Sequence, residues 1–420
     1  MREKKKKKKK KKNHKKKEIM ASTSPTGGAF RNPNSVEYGE IRVLEEVWSN
    51  DLGSYCKVYP LCDALNQEFR AASCVQRKRR KRREVSNMTI PGVSAELQKI
   101  LGAKMDEVDA RRRAREAFKD VQLGIDHILF KTPCEGIKME ESYEKNSKGI
   151  EIFHKSWLPL SRPKAAVFFC HGIARMLASC GYAVVAMDYP GFGLSEGLHC
   201  YIPSFDGLVD TVIEKYSKIR ENPPFHSLPS FLFGESMGGA VALKMHMKQP
   251  KAWDGAILVA PMYNMVPPML VTQILIGVAS VFPKHKLVPQ KDLAEAAFRD
   301  LKKREQTAYN VISYKDKPRL RTAVEMLKTT QEIDRRMKEV SLPLLILHGE
   351  ADTVTDPSVS KALYENASCS DKKLKLYKDA YHALLEGEPD EIVTQVFGDI
   401  ISWLDEHTTK SNQSSSSFIF

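Results

Sequence analysis

The chain has 420 residues, 42% apolar and 28% charged, with a net charge of +14. That length and apolar share favour a globular protein with a large core. Residues 1–90 hold 24 Lys and Arg against 10 Asp and Glu, so the whole excess sits there; residues 91–420 are neutral, and no nucleic-acid partner is expected for the body.

The leader opens with MREKKKKKKKKKNHKKKEIM, a lysine run that stays solvated and specifies little. Met20 is an alternative start. MASTSPTGGAFRNPN has the small, hydroxylated, acid-free character of a transit peptide, although Glu37, Glu40, Glu45, Glu46 and Asp51 follow closely. RKRRKRRE (77–84) fits a nuclear signal or an anionic-lipid contact only weakly. Residues 1–90 therefore read as a basic, disordered leader. The expected location is cytoplasmic or peripheral to a membrane, with a plastid as the location if the leader is a transit peptide. The eight cysteines form no C-x-x-C pair and no metal-spaced cluster with histidines, and with no secretory signal visible free thiols are expected.

Residues 91–125 read as a helical lead-in. After it come β-like runs without helices between them: HILFKT (127–132), IKMEESYE (137–144) and GIEIFHKSWL (149–158). Strands and helices then alternate. AVFFC (166–170) precedes a short helix over 173–180, and YAVVAMDYP (182–190) precedes a helix over 204–219 with Ser204 as N-cap. SFLFGES (230–236) leads into a helix over 238–248. GAILVAPM (255–262) and LPLLILHGE (342–350) are the next strands. A helix over 358–367, the strand LKLYK (374–378) and a helix over 392–407 close the body, with 408–420 as a disordered tail. Alternation of this kind predicts an α/β fold: a mostly parallel sheet covered by helices on both faces, with an antiparallel edge. Residues 263–341 interrupt it and are too many for a loop, so they read as an inserted sub-domain. Its apolar stretch MLVTQILIGVASVF (269–282) falls short of the ~18 residues a membrane span needs.

The chemistry starts at Gly234-Glu235-Ser236-Met237-Gly238. G-x-S-x-G between an apolar strand and a helix is the setting of a nucleophilic serine on a sharp turn. A serine hydroxyl needs a base, and the base needs an orienting acid; in this fold class they follow in the order Ser, acid, His. Glu350, Asp352 and Asp356 lie just past a strand's C-terminal end, where open α/β sheets place their sites. Position alone does not choose among them. His382 follows the last strand and fits the base. His171, His199 and His348 fit the chain order worse.

From about Asp126 to His407 the chain resembles the monoacylglycerol lipase-like branch of the α/β-hydrolases, the serine aminopeptidase S33 or hydrolase-4 type. It most resembles the plant members, among them caffeoylshikimate esterases and lysophospholipase-like proteins. FCHG (169–172), MDYPGFGLSEG (187–197), YIPSF (201–205), GESMGGAVALK (234–244), HGEADTVTDPSVS (348–360) and YHALLEGEP (381–389) carry the resemblance. It implies Ser236 as nucleophile, Asp352 as acid and His382 as base within an α/β-hydrolase domain over 126–407. It also implies a cap at 263–341 that guides lipid or aromatic esters to the serine. Cys200 departs from the family's usual Gly, and APMYNMVPP (260–268) is a few residues short at the start of the cap.

The largest departure is FFCHGIARM. An acyl-transfer oxyanion normally receives two backbone N–H groups, one from the residue after the serine, here Met237, and one from the loop after the third strand. Here Gly172 runs straight into Ile173-Ala174-Arg175, where a βα loop usually has two to six residues. The sequence thus implies an internal deletion, with Ile173 left nominally as the second donor. The leading expectation is a serine hydrolase of monoacylglycerol-like carboxylic esters, impaired at that loop; such an enzyme needs no metal or organic cofactor. A phenolic esterase of the caffeoylshikimate type and a non-catalytic scaffold are the alternatives. Partners beyond a small lipid or phenolic ester reduce to peripheral membrane contact through the cap or the leader.

Overall fold

A computed structural model describes residues 93–131, 135–169, 173–262, 269–286 and 293–416. The leader, Met20 and both basic clusters lie outside the described residues, as do Cys170, His171 and Gly172.

The lead-in forms α1 (Ala95–Leu101), α2 (Val108–Ala117) and α3 (Lys119–Leu123). Ser94 starts α1 by accepting the Leu97 N–H on its side chain. HILFKT departs from expectation: Ile128–Lys131 is one helical turn, α4. The cause is His127, whose Nδ1 accepts the Leu129 N–H at 3.2 Å while its Nε2 reaches Glu386 O at 2.9 Å. A side chain that caps its own turn diverts the backbone from a strand.

The strands are β1 (Ile137–Lys145), β2 (Glu151–Pro159), β3 (Ala166–Phe169), β4 (Ala183–Met187), β5 (Ser230–Glu235), β6 (Gly255–Val259), β7 (Leu344–Gly349) and β8 (Lys372–Tyr377). They form one sheet in the order β1-β2-β4-β3-β5-β6-β7-β8. β1–β2 and β2–β4 pair antiparallel and every other pair is parallel. The helices between strands are α5 (Ala174–Ser179), α6 (Phe205–Arg220) and α7 (Met237–Lys248). Between β6 and β7 lie α8 (Met269–Val281), α9 (Leu293–Ala297), α10 (Leu301–Gln306) and α11 (Leu320–Arg336), and no strand among the described residues. α12 (Pro357–Asn366) follows β7, and α13 (Asp390–Ser416) follows β8. The expected tail is helical to Ser416: Thr408 and Thr409 bond back to the carbonyls of Leu404 and Asp405, continuing a helix anchored by the buried Trp403.

Period-2 alternation in the strands splits the core into two. Leu232, Leu344 and Ile346 face a cluster with α6, α7 and α12, while Phe231, Phe233, Leu345 and Leu347 face one with α5 and α13. Arg111 on α2 is fully buried and ties the lead-in to the loop after β4. It donates to the carbonyls of Gly193 at 2.6 Å, Ser195 at 2.8 Å and Gly197 at 3.3 Å, and to Met105 and Asp106 on its own side. Desolvation lowers its pKa, opposed by the charges of Asp106 and Asp188. Cys200 in the same loop has φ 56°, the left-handed conformation for which Gly is the ordinary residue.

Candidate active site

Ser236 sits between β5 and α7 at φ 50°, ψ −117°. A non-glycine residue held there carries about 1–3 kcal/mol of backbone strain. Three backbone hydrogen bonds hold it: Ser236 N donates to Val259 O, and its carbonyl accepts Gly239 N and Met262 N, all at 2.9 Å. The flanking glycines are sterically required. A Cβ on Gly234 would lie 2.3 Å from the Gly238 carbonyl oxygen, and one on Gly239 would lie 2.7 Å from Pro261 Cβ. Met237 is the first residue of α7, so its N–H has no intrahelical partner and points with the positive end of the helix dipole.

The three candidate carboxylates separate by burial. Glu350 is exposed. Asp356 is exposed and caps α12 by accepting the Ser358 N–H at 2.8 Å. Asp352 is 6% exposed and meets His382, whose Nδ1 donates to Asp352 Oδ2 at 2.7 Å. A carboxylate can only accept, so the Nδ1–H tautomer fits this contact. Asp352 Oδ1 accepts Val354 N at 2.7 Å and Thr355 N at 3.0 Å, and its Oδ2 also accepts Thr355 Oγ1 at 2.8 Å. Burial pushes the Asp352 carboxyl up. Hydrogen bonds from His348 and His382, the charge of His382 and the Thr355 N–H outweigh that and hold it well below the usual carboxylate range.

His382 rides on the loop between β8 and α13. A Cβ on Gly349, at the end of β7, would lie 2.3 Å from Ala380 O and 2.4 Å from Tyr381 O. The acid's strand and the histidine's loop therefore touch backbone to backbone. Ala351 N donates to Ala380 O at 3.0 Å. The inserted helices grip the same loop: Ala383 N donates to Ala297 O at 3.0 Å, and the buried Glu388 accepts Arg299 Nε at 2.6 Å and Tyr381 N at 2.7 Å. Among the described residues neither Ser236 Oγ nor His382 Nε2 has a hydrogen-bond partner; in active sites generally such bonds are often long until substrate binds.

Ile173 is fully buried in the cluster that α5 shares with the sheet, and its carbonyl accepts the Leu177 N–H. The whole connection from Phe169 to Ala183 is residues 170–182, near the lower limit for a βαβ crossover. α5 has six residues and spans about 9 Å at 1.5 Å per residue, against sixteen residues in α6 and twelve in α7.

Sequence reasoning set His348 aside because it precedes Asp352 in the chain and fits the order of a base worse, and gave it no other place; in the structure its Nε2 lies 3.1 Å from Asp352 Oδ2. The signal that could have found it is spacing: it sits at the end of β7, four residues before the aspartate. Among the described residues no group of His, Cys, Asp and Glu is placed to hold a metal ion.

The model of the Hydrolase_4 family, described as serine aminopeptidase S33, matches residues 161–390. A caffeoylshikimate esterase of Arabidopsis thaliana is 35% identical over 296 residues, covering 66% of this chain and 88% of the relative. A monoglyceride lipase of Homo sapiens is 29% identical over 284 residues, covering 64% and 92%. A solved structure of a soluble variant of the Saccharomyces cerevisiae monoglyceride lipase aligns at TM-score 0.58 and 21% identity, covering 66% of this chain and 97% of that one, and shares the fold. With the eight-stranded sheet and a G-x-S-x-G serine at the strand–helix turn, the chain belongs to the Hydrolase_4 (serine aminopeptidase, S33) family of α/β-hydrolases, as a carboxylic ester hydrolase.

Proposed function

We propose that this chain hydrolyses monoacylglycerol-like carboxylic esters through an acyl-enzyme, at a rate reduced by the short connection after β3. The observation that carries the reading is the buried 2.7 Å contact between His382 and Asp352, together with a strained serine at the turn after β5. Ser236 Oγ attacks the ester carbonyl carbon while His382 Nε2 takes its proton; Asp352 orients the ring and stabilises the imidazolium. The tetrahedral oxyanion accepts the Met237 N–H. Collapse expels the alcohol, which takes the proton from His382. Water then attacks the acyl-enzyme with His382 again as base, and the carboxylic acid and Ser236 are released.

The second oxyanion donor is where this chain falls short. Ile173 is the N-cap of α5, with its side chain in the core, and it follows directly on the Gly172 that ends the FCHG motif. Loss of one such donor costs roughly a hundredfold to a thousandfold in turnover. The test is to insert the corresponding loop of the Arabidopsis relative after Gly172 and compare kcat on a short-chain nitrophenyl ester. A gain of about a hundredfold is expected; equal turnover would show that the short connection does not impair the site.

Residues 263–341 act as the cap over Ser236, a role supported by their bonds to the histidine loop at Ala297 and Arg299. α8 supports peripheral membrane contact through Val281, 64% exposed, and the half-buried Ile274, while Leu275, Ile276 and Val278 pack against the cluster with Leu320 and Val324 of α11. No helix among the described residues is long and apolar enough to cross a membrane. The Arabidopsis relative favours phenolic esters as a second substrate class. Parallel kcat/KM values on a monoacylglycerol and a caffeoyl ester separate the two.

A further inference from the structure

We infer that His348 is a positioning residue of this site: a second buried imidazole donor on Asp352 Oδ2 that fixes the carboxylate's orientation and the charge it presents to His382. The inference rests on the hydrolase reading above. His348 is fully buried. Its Nε2 lies 3.1 Å from Asp352 Oδ2 and 3.0 Å from Thr355 O. Both are acceptors, so Nε2 carries a proton and is shared between them. Its Nδ1 lies 2.7 Å from Ser360 Oγ on α12, which is also fully buried. A hydroxyl can donate to Nδ1 and so fix the Nε2–H tautomer. The result is a chain from Ser360 through His348 and Asp352 to His382, running from α12 across the end of β7 to the loop after β8.

A structural histidine would need only to satisfy its own nitrogens. This one takes a third position on the same oxygen that His382 uses, beside the Thr355 hydroxyl. Each donor on Oδ2 draws charge from the carboxylate, so His348 tempers the pull that Asp352 exerts on an imidazolium at His382 and restrains the position of the shared oxygen. The charged or titratable groups against His348 are Asp352, Asp356 at the start of α12, and His382 through the shared carboxylate.

The test uses the full chain with His348→Gln and His348→Leu. Glutamine can return an N–H to Oδ2; leucine cannot. The first readout needs no turnover: the proton chemical shift of the His382 Nδ1–H in its bond to Asp352, read by NMR with ring-labelled histidine and assigned through His382→Ala. His348→Leu is expected to move that proton downfield, because the shared Asp352 oxygen then carries one donor fewer and accepts more strongly, and His348→Gln to leave it near the parent position. The second readout is the rate of fluorophosphonate labelling, expected to fall roughly tenfold or more in His348→Leu and to recover in His348→Gln. If His348→Leu folds and leaves the His382 Nδ1–H where the parent has it, His348 only fills space and the inference is overturned; it is overturned equally if His348→Gln fails to recover. A parent chain that never labels defeats the hydrolase reading instead, and the proton shift still decides the role of His348.

Discussion

Gly349→Ala is the substitution that most sharply probes how the site is held. It adds one methyl group, at the end of β7, three residues before Asp352. The new Cβ would lie 2.3 Å from Ala380 O and 2.4 Å from Tyr381 O, whereas real Cβ atoms essentially never come within 3.0 Å of another heavy atom. The histidine loop must therefore retreat by about 0.7 Å. Retreat breaks the Ala351 N to Ala380 O bond and carries His382, two residues on, away from Asp352. A misplacement of about 1 Å at reacting groups costs roughly a hundredfold, so kcat on a nitrophenyl ester should fall about tenfold to a hundredfold with KM little changed. Gly398→Ala, on α13 with nothing within 4 Å of the new Cβ, is the control; it should leave kcat alone and stabilise by about 0.5–1 kcal/mol. A Gly349→Ala variant with the parent's kcat would show that contact between strand and loop does not position His382.

Arg111→Leu orphans the carbonyls of Gly193, Ser195 and Gly197 and should cost about 3 kcal/mol or more in urea unfolding; a loss below about 1 kcal/mol would refute the clamp. His154 and His199 are both held neutral by burial, with pKa values lowered to about 4. The unfolded chain binds their protons first, so stability should decline as pH falls from about 6.5 toward 4. His154→Gln should flatten part of that decline in thermal melts, and an unchanged pH slope would refute it. Asp352, whose pKa is depressed, contributes stability that is full above about pH 4 and lost only well below it, so Asp352→Asn should lower the melting temperature at pH 7 more than at pH 3. Val281→Glu on α8 should reduce sedimentation with phospholipid vesicles without altering labelling by a soluble fluorophosphonate; equal sedimentation removes α8 from the membrane contact.

Much of this was legible in the residues because it is local. The alternation of Phe231, Leu232 and Phe233 reads directly as a strand buried on both faces, and Gly234 and Gly238 mark a sharp turn, whereas the close approach of Gly239 to Pro261 shows only in the structure. The family's Gly at the position of Cys200 matches the left-handed φ found there. What escaped depends on contacts between distant segments. HILFKT has the composition of a strand, but His127 caps its own turn and reaches Glu386. Chain order could suggest Asp352 over Glu350 and Asp356 only through a resemblance, whereas burial separates the three at once. His348 falls outside the logic of order, which looks for a histidine after the carboxylate and says nothing of one that bonds Asp352 from the end of its own strand. Arg111 is one more charge in an arginine-rich helix until the loop after β4 closes around it.

The most direct measurement is the mass of the full chain after reaction with a fluorophosphonate, with the modified residue located by peptide mapping. One adduct is expected, on Ser236, lost in Ser236→Ala and slowed at least tenfold in His382→Ala. An adduct on another serine, or none while the fold is intact, would contradict the assignment of Ser236 as the nucleophile.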